Sequence, residues 1–245
     1  MIIMNLNKKN IYIGLGIIVV IAALILVWLF QLAGLSRIIK TSSPKGGENK
    51  PLVSPPPTIT EEKEETVVLK SIPVLGEKTA PITLIEFASF DCLYCAHFQQ
   101  QIFPQLKENY INSGKVKFVF YQFPGQDPRL NLESQATFCA KEKNKYWEYI
   151  DTLFYQSVPS DLTEELQIIQ ALNNLGFSAG VDDGSIMSCL FSRKYADLVS
   201  EQNSLAEKLK IENLPTFLIG SQRIVGIRTY QELAKFLDEE LAKIK

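Results

Sequence analysis

The sequence predicts an α/β domain built on a β-α-β unit with a long helical insertion, placed behind a single N-terminal transmembrane helix and a linker. Three observations predict it. Two apolar runs rich in strand-forming residues, Ile82–Ala88 and Val116–Tyr121, flank a segment of helical period. A helical pattern then occupies about 126–210 before extended sequence returns at Thr216. Residues 11–36 contain no charged side chain.

The uncharged run from Ile11 to Leu35 would be about 37 Å long as a helix at 1.5 Å per residue. That length spans a bilayer with some tilt. Lys8 and Lys9 before it, and Ala33 and Gly34 near its end, also fit a cleaved signal peptide. The apolar stretch is longer than the usual core of such a peptide, which favours an uncleaved anchor at 11–35 behind a short cytoplasmic tail at 1–10. Tyr12 and Trp28 suit the interfaces. Lysine and arginine lie on both sides of the span, so charge does not set its orientation. Four cysteines favour placing the bulk of the chain outside the cytoplasm, where disulfides persist. The expectation is a single-pass protein of the cell membrane with its N-terminus inside and its domain outside.

Residues 36–66 hold Pro55-Pro56-Pro57 and Glu61-Glu62-Lys63-Glu64-Glu65 with few apolar positions, and read as an extended linker. The remaining 67–245 fit one domain with a sizeable core. The formal net charge is −2, and there is neither a basic stripe nor a phosphate-binding glycine loop. Nucleic-acid binding is therefore not expected.

Within the domain, Ile82–Ala88 has the nearly continuous apolarity of a buried central strand. A helix from about Cys92 to Tyr110 follows, with Pro104 expected to kink it. Val116–Tyr121 completes a unit whose crossover should be right-handed. Helices are expected near 131–143, 145–156, 162–175, 183–190 and 193–210, then a hairpin of Thr216–Ile219 and Arg223–Val225, and a last amphipathic helix over Tyr230–Ala242.

The junction of first strand and helix carries Cys92-Leu93-Tyr94-Cys95. A thiolate is the form that attacks disulfides, and a helix N-terminus lowers the cost of making one. Residues three apart share a helix face, so the two sulfurs can meet. A zinc site is the competing chemistry, but its other ligands would be the scattered His97, Cys139 and Cys189, without a second Cys-x-x-Cys. Glu86 sits inside the apolar strand, where a carboxylate is costly unless satisfied or used; a strand-end carboxylate facing water is the alternative.

Residues 70–245 resemble the DsbA-like thiol–disulfide oxidoreductases of thioredoxin fold. The resemblance rests on Pro73-Val74-Leu75-Gly76 with Ala80-Pro81-Ile82-Thr83, on Phe87-Ala88-Ser89-Phe90-Asp91-Cys92-Leu93-Tyr94-Cys95, on Leu214-Pro215-Thr216-Phe217, and on the helical insert. It implies Cys92 as nucleophile, Cys95 as resolving cysteine, Glu86 as a buried proton exchanger, and a cis Leu214–Pro215 bond beside the cysteines. Leu214 and Tyr94 would contact substrate, and Cys139 and Cys189 would form a structural disulfide, with two free thiols as the alternative. The chain departs from the strongest oxidants of the family at Leu93-Tyr94, which replaces their Pro-His. Asp91 either raises the Cys92 pKa by repulsion or caps the helix. Phe90, Tyr94 and Phe217 are candidates for an aromatic contact surface, although aromatic residues at such positions are more often simply core.

The resemblance further implies a monomer without cofactor or metal. It would oxidise reduced or unfolded exported proteins and be reoxidised by a quinone-linked membrane partner. A reductase or isomerase of the same fold, and a non-catalytic binding or chaperone domain with structural cysteines, are the alternatives.

Overall fold

The computed structural model describes Ile21 and Leu24, both helical, and residues 52–54, 71–181, 183–220, 222–226 and 229–244. The chain forms two compact units, Met1–Asn49 and Lys50–Lys245, and the architecture below is that of the second. The expected membrane span at 11–35 lies outside the described residues apart from Ile21 and Leu24. Among the described residues, no helix is long and apolar enough to cross a membrane.

A six-stranded sheet has the order β1-β6-β5-β3-β4-β2. Its strands are β1 Leu52–Ser54, β2 Val74–Leu75, β3 Ile82–Ala88, β4 Val116–Gln122, β5 Thr216–Ile219 and β6 Gln222–Val225. β3 and β4 run parallel from Ile82↔Val116 to Ala88↔Gln122, and the other neighbours are antiparallel. β1 falls inside the segment expected to be linker. Its three residues pair with the outer edge of β6, a sheet edge whose open N–H and C=O groups accept a short strand despite the proline-rich surroundings.

The first helix, α1, starts as Leu93–His97 and continues through a π-helical Phe98–Ile102, an α-helical Phe103–Leu106 and a π-helical Lys107–Ile111. Pro104 has no N–H to give, and the wider turn before it absorbs the defect, with Phe103 N–H reaching the Phe98 carbonyl. The insertion is α2 Pro128–Lys141, α3 Tyr146–Tyr155, α4 Glu165–Ser178, α5 Ser185–Phe191 and α6 Ala196–Lys208, and α7 Tyr230–Ala242 closes the domain. α2 begins where Asp127 Oδ1 accepts from the Arg129 and Leu130 N–H groups and Pro128 takes the first helical position. α7 begins on a capping box of Thr229 and Glu232.

Alternation along the strands splits the core. Leu84 and Ala88 of β3, Phe118 and Phe120 of β4 and Phe217 of β5 join the larger cluster with α1 to α7. Phe87, Val119, Tyr121 and Leu218 join Ile72 and Ala206 on the other face. Phe98 of α1 lies 4.7 Å from Phe217 and Phe103 lies 4.8 Å from Phe118, ring centre to ring centre, so aromatic packing fixes α1 over the strands. A buried polar contact locks the insertion to the end of β4: the Gln122 N–H donates to Gln202 Oε1 at 3.0 Å, and Gln122 Nε2 donates to Thr137 Oγ1 at 2.7 Å.

Gly76 follows β2 at φ +97°, and a Cβ there would lie 2.8 Å from Ile111 Cγ2 and 3.0 Å from the Val116 carbonyl. Gly76→Ala should therefore destabilise the domain by about 1–3 kcal/mol. Chemical unfolding checks it, and an unchanged midpoint would contradict the packing described for this turn.

Candidate active site

β3 ends at Ala88, and its continuation turns through Ser89-Phe90-Asp91 into α1, with the Cys92 N–H donating to the Ser89 carbonyl at 3.2 Å. Cys92 is the N-cap of α1: its backbone is extended, and its Sγ accepts from the Cys95 N–H at 3.1 Å. Asp91 does not cap the helix. Its Oδ1 instead accepts from the Ser89 hydroxyl at 2.7 Å.

Cys92 and Cys95 are joined as a disulfide with their Cα atoms 5.2 Å apart. Cys95 is 0% exposed while Cys92 is half-buried, so an incoming group meets the Cys92 sulfur first. Leu93 and Tyr94 between them are 79% and 72% exposed. A thiolate released at Cys92 would face the free N–H groups and positive end of α1.

Glu86 lies on β3 opposite Phe120 of β4 and Phe217 of β5 and is 0% exposed. Its Oε2 accepts from Gln99 Nε2 at 2.7 Å, whereas Oε1 has no hydrogen-bond partner among the described residues. Burial pushes its pKa well above the usual carboxylate range, and the Gln99 bond pulls it back only in part. Gln99 is four residues beyond Cys95, one turn along the same helix, so a buried acid is tied to the helix that carries both cysteines.

The Leu214–Pro215 peptide is cis. Thr216 pairs with Phe87, which sets Pro215 just past the paired end of β5, at the end of β3 from which the cysteine segment leaves. The Pro215 carbonyl accepts from the Gly226 N–H at 3.0 Å. Leu214 is half-buried and packs against both core clusters.

The fold thus gathers Cys92, Cys95, Glu86, Tyr94, Leu214 and Pro215 around one end of the sheet. Cys139 and Cys189 are bridged elsewhere, between α2 and α5, with Cα atoms 5.8 Å apart. Phe90 and Phe217 do not belong to an aromatic contact surface. They are 8% and 0% exposed, because Phe90 packs on Phe120 and Phe154 and Phe217 packs on Phe98. Among the described residues, no three His, Cys, Asp or Glu side chains cluster as a metal site. Sequence reasoning missed Gln99, whose signal is a glutamine one turn after Cys95 on a face otherwise apolar. It also missed a buried Arg129–Glu133 pair on α2.

Glu86 makes stability depend on pH in a defined sense. Its folded pKa lies above the ordinary 4.5, so between that value and the raised one the native state keeps a proton that the unfolded chain has lost. Stability therefore falls as pH rises through that window. Glu86→Gln should remove this fall and be the more stable chain at the alkaline end, as read by urea midpoints at stepped pH. Parallel pH profiles for the two chains would contradict a buried acid at this position.

Comparison with known proteins agrees with this geometry. A family model described as Thioredoxin matches residues 70–239. Disulfide bond formation protein D of Bacillus subtilis (strain 168) is 27% identical over 176 residues, 71% of this chain and 78% of the relative. The crystal structure of oxidised BdbD from Bacillus subtilis superposes with a TM-score of 0.64 at 24% identity, covering 79% of this chain and 100% of that one. That of Wolbachia pipientis α-DsbA1 superposes with a TM-score of 0.62 at 25% identity, over 74% of this chain and 96% of that one. By its fold, its Cys-x-x-Cys at a helix start and these relatives, the chain belongs to the thioredoxin family, as a DsbA-like thiol–disulfide oxidoreductase.

Proposed function

We propose that this oxidoreductase forms disulfides in reduced or unfolded exported proteins, as a monomer held at the cell membrane by residues 11–35 with its domain outside the cytoplasm. The observation that carries the reading is the asymmetry of the cysteine pair: Cys92 is accessible at the N-terminus of α1, while Cys95 is wholly buried behind it. The name of the Bacillus subtilis relative, disulfide bond formation protein D, points the same way. The uncharged run at 11–36 supports the anchor. A quinone-linked membrane partner would return the pair to the disulfide.

In this mechanism a substrate thiolate attacks Cys92 Sγ, the Cys92–Cys95 bond breaks, and its electron pair leaves on Cys95 Sγ. Cys95 is buried, so its charge needs a proton, and Glu86 is the buried acid tied through Gln99 to the same helix. A second substrate thiolate then attacks the substrate sulfur of the mixed disulfide. Cys92 leaves as a thiolate held by the helix end, and the substrate keeps its new disulfide. Two electrons have passed from substrate to the cysteine pair. By its likeness to the DsbA-like family, the Leu214 backbone would pair with an extended substrate segment beside this exchange. The Cys139–Cys189 bridge serves stability, closing a loop with a sequence separation of 50.

Trapping tests this directly. With a reduced, unfolded secretory protein as substrate, Cys92→Ser should lower disulfide formation to background, whereas Cys95→Ala, with Cys92 first loaded as a mixed disulfide with glutathione, should exchange with a substrate thiolate, release glutathione and accumulate a Cys92–substrate disulfide on non-reducing gels. Cys139 and Cys189 should resist alkylation until reductant is added. Oxidation that survives Cys92→Ser would overturn the assignment, and binding without exchange in the wild type would favour a non-catalytic domain.

A further inference from the structure

Gln99 is 6% exposed, and its Nε2 donates to Glu86 Oε2 at 2.7 Å. Glutamine is seldom enclosed to this degree, and an apolar side chain would fill the same space with no polar group to satisfy.

The strand register brings this contact to the face of α1 that carries Cys95. Glu86 pairs with Phe120 of β4 and Phe217 of β5, so the three side chains share one face of the sheet. Phe98 lies 4.7 Å from Phe217, ring centre to ring centre, and Phe120 and Phe217 belong to the core cluster that encloses Cys95. Cys95, Phe98 and Gln99 stand three and four residues apart, on one face of the helix. Helical side chains lean toward the N-terminus, so the Gln99 amide covers the turn of Cys95. Glu86 meets that amide directly, buried as Cys95 is. An amide N–H donates and cannot accept, so the oxygen it holds, Oε2, is not the one that carries the acid proton. That role falls to Oε1, which has no hydrogen-bond partner among the described residues.

We propose that Gln99 is a positioning residue for proton exchange between Glu86 and Cys95, holding Oε2 so that Oε1 delivers and receives the proton. The proposal rests on the exchange role of Glu86 given above. When substrate attacks Cys92, the released Cys95 thiolate takes the proton from Oε1, and the carboxylate left behind keeps its Gln99 bond. In the return direction the carboxylate takes the Cys95 proton, and the new thiolate attacks the Cys92 sulfur. A donor to the charged form favours that form, so Gln99 makes Glu86 a stronger acid against the pull of burial without placing a second charge in the core. Among the described residues, Glu86 is faced by Phe120 and Phe217 from the neighbouring strands and by Phe98, Gln99 and Cys95 from α1. α7 adds Leu233 and Leu237 to the same cluster, and its Glu240 is engaged by Gln222 at 2.8 Å.

The test uses the full chain in detergent, reduced at Cys92 and Cys95, mixed with excess oxidised glutathione at stepped pH and acid-quenched. Mass spectrometry then follows the Cys92–glutathione mixed disulfide as Cys95 attacks Cys92 Sγ and glutathione leaves as a thiolate. In wild type this step should quicken with an inflection where Glu86 loses its proton. Gln99→Met, close in volume and without a donor, should slow it roughly tenfold below the inflection and move the inflection to higher pH. Glu86→Gln should lack the inflection, and adding Gln99→Met to Glu86→Gln should change nothing further. A Gln99 that only packs would lower the melting temperature of Gln99→Met and leave the pH profile in place, or slow the step by the same factor with and without Glu86. Either result overturns the proposal. If Gln99→Met does not fold, the infrared band lost in Glu86→Gln decides, and a carbonyl stretch at the frequency of a carboxyl without hydrogen bonds overturns it. A Glu86→Gln profile identical to wild type removes the exchange role of Glu86 itself, and this inference with it.

Discussion

β3 is hydrogen-bonded on both sides, parallel to β4 and antiparallel to β5, and the site hangs from its C-terminal end. This double pairing fixes where the chain leaves the sheet, and therefore where α1 can begin. Phe98 and Phe103 then hold α1 over Phe217 and Phe118, and the Gln99–Glu86 hydrogen bond ties helix to strand at the one buried acid of β3. A strand that slipped by one residue would turn Glu86 to the opposite face and break this link.

From that constraint the two cysteines acquire different environments. Cys92 stands at the cap, where a helix end offers unpaired N–H groups, while Cys95 is enclosed by the larger core cluster. One sulfur is thus suited to carry charge and to meet substrate, and the other to need a proton when it is released. The parallel neighbour β4 brings the start of the insertion to the same end of the sheet.

Much of this was legible in the sequence. The continuous apolarity of Ile82–Ala88 and Val116–Tyr121 located the β-α-β unit, and Gly220-Ser221 between apolar runs located the hairpin. The Cys-x-x-Cys located the site, because few positions other than a strand-to-helix junction suit a thiolate. Other features were not legible for physical reasons. Leu52–Ser54 is too short, and too closely framed by proline, for its pairing with β6 to show as a period. The π-helical turns around Pro104 answer a missing N–H that sequence registers only as a kink. Arg129 and Glu133 have the spacing of an exposed helix pair, and charged residues are seldom buried, so nothing in the sequence marked them as enclosed. α2 starts earlier than its apolar period indicates, at Asp127-Pro128, where capping rather than hydrophobicity sets the boundary.

The most direct test of the central claim is the reduction potential of the Cys92–Cys95 pair, equilibrated against glutathione with Cys139 and Cys189 followed separately. A value above about −180 mV is the predicted result and marks a protein that gives its disulfide away. A value below about −250 mV would contradict the account and identify a reductase built on the same site.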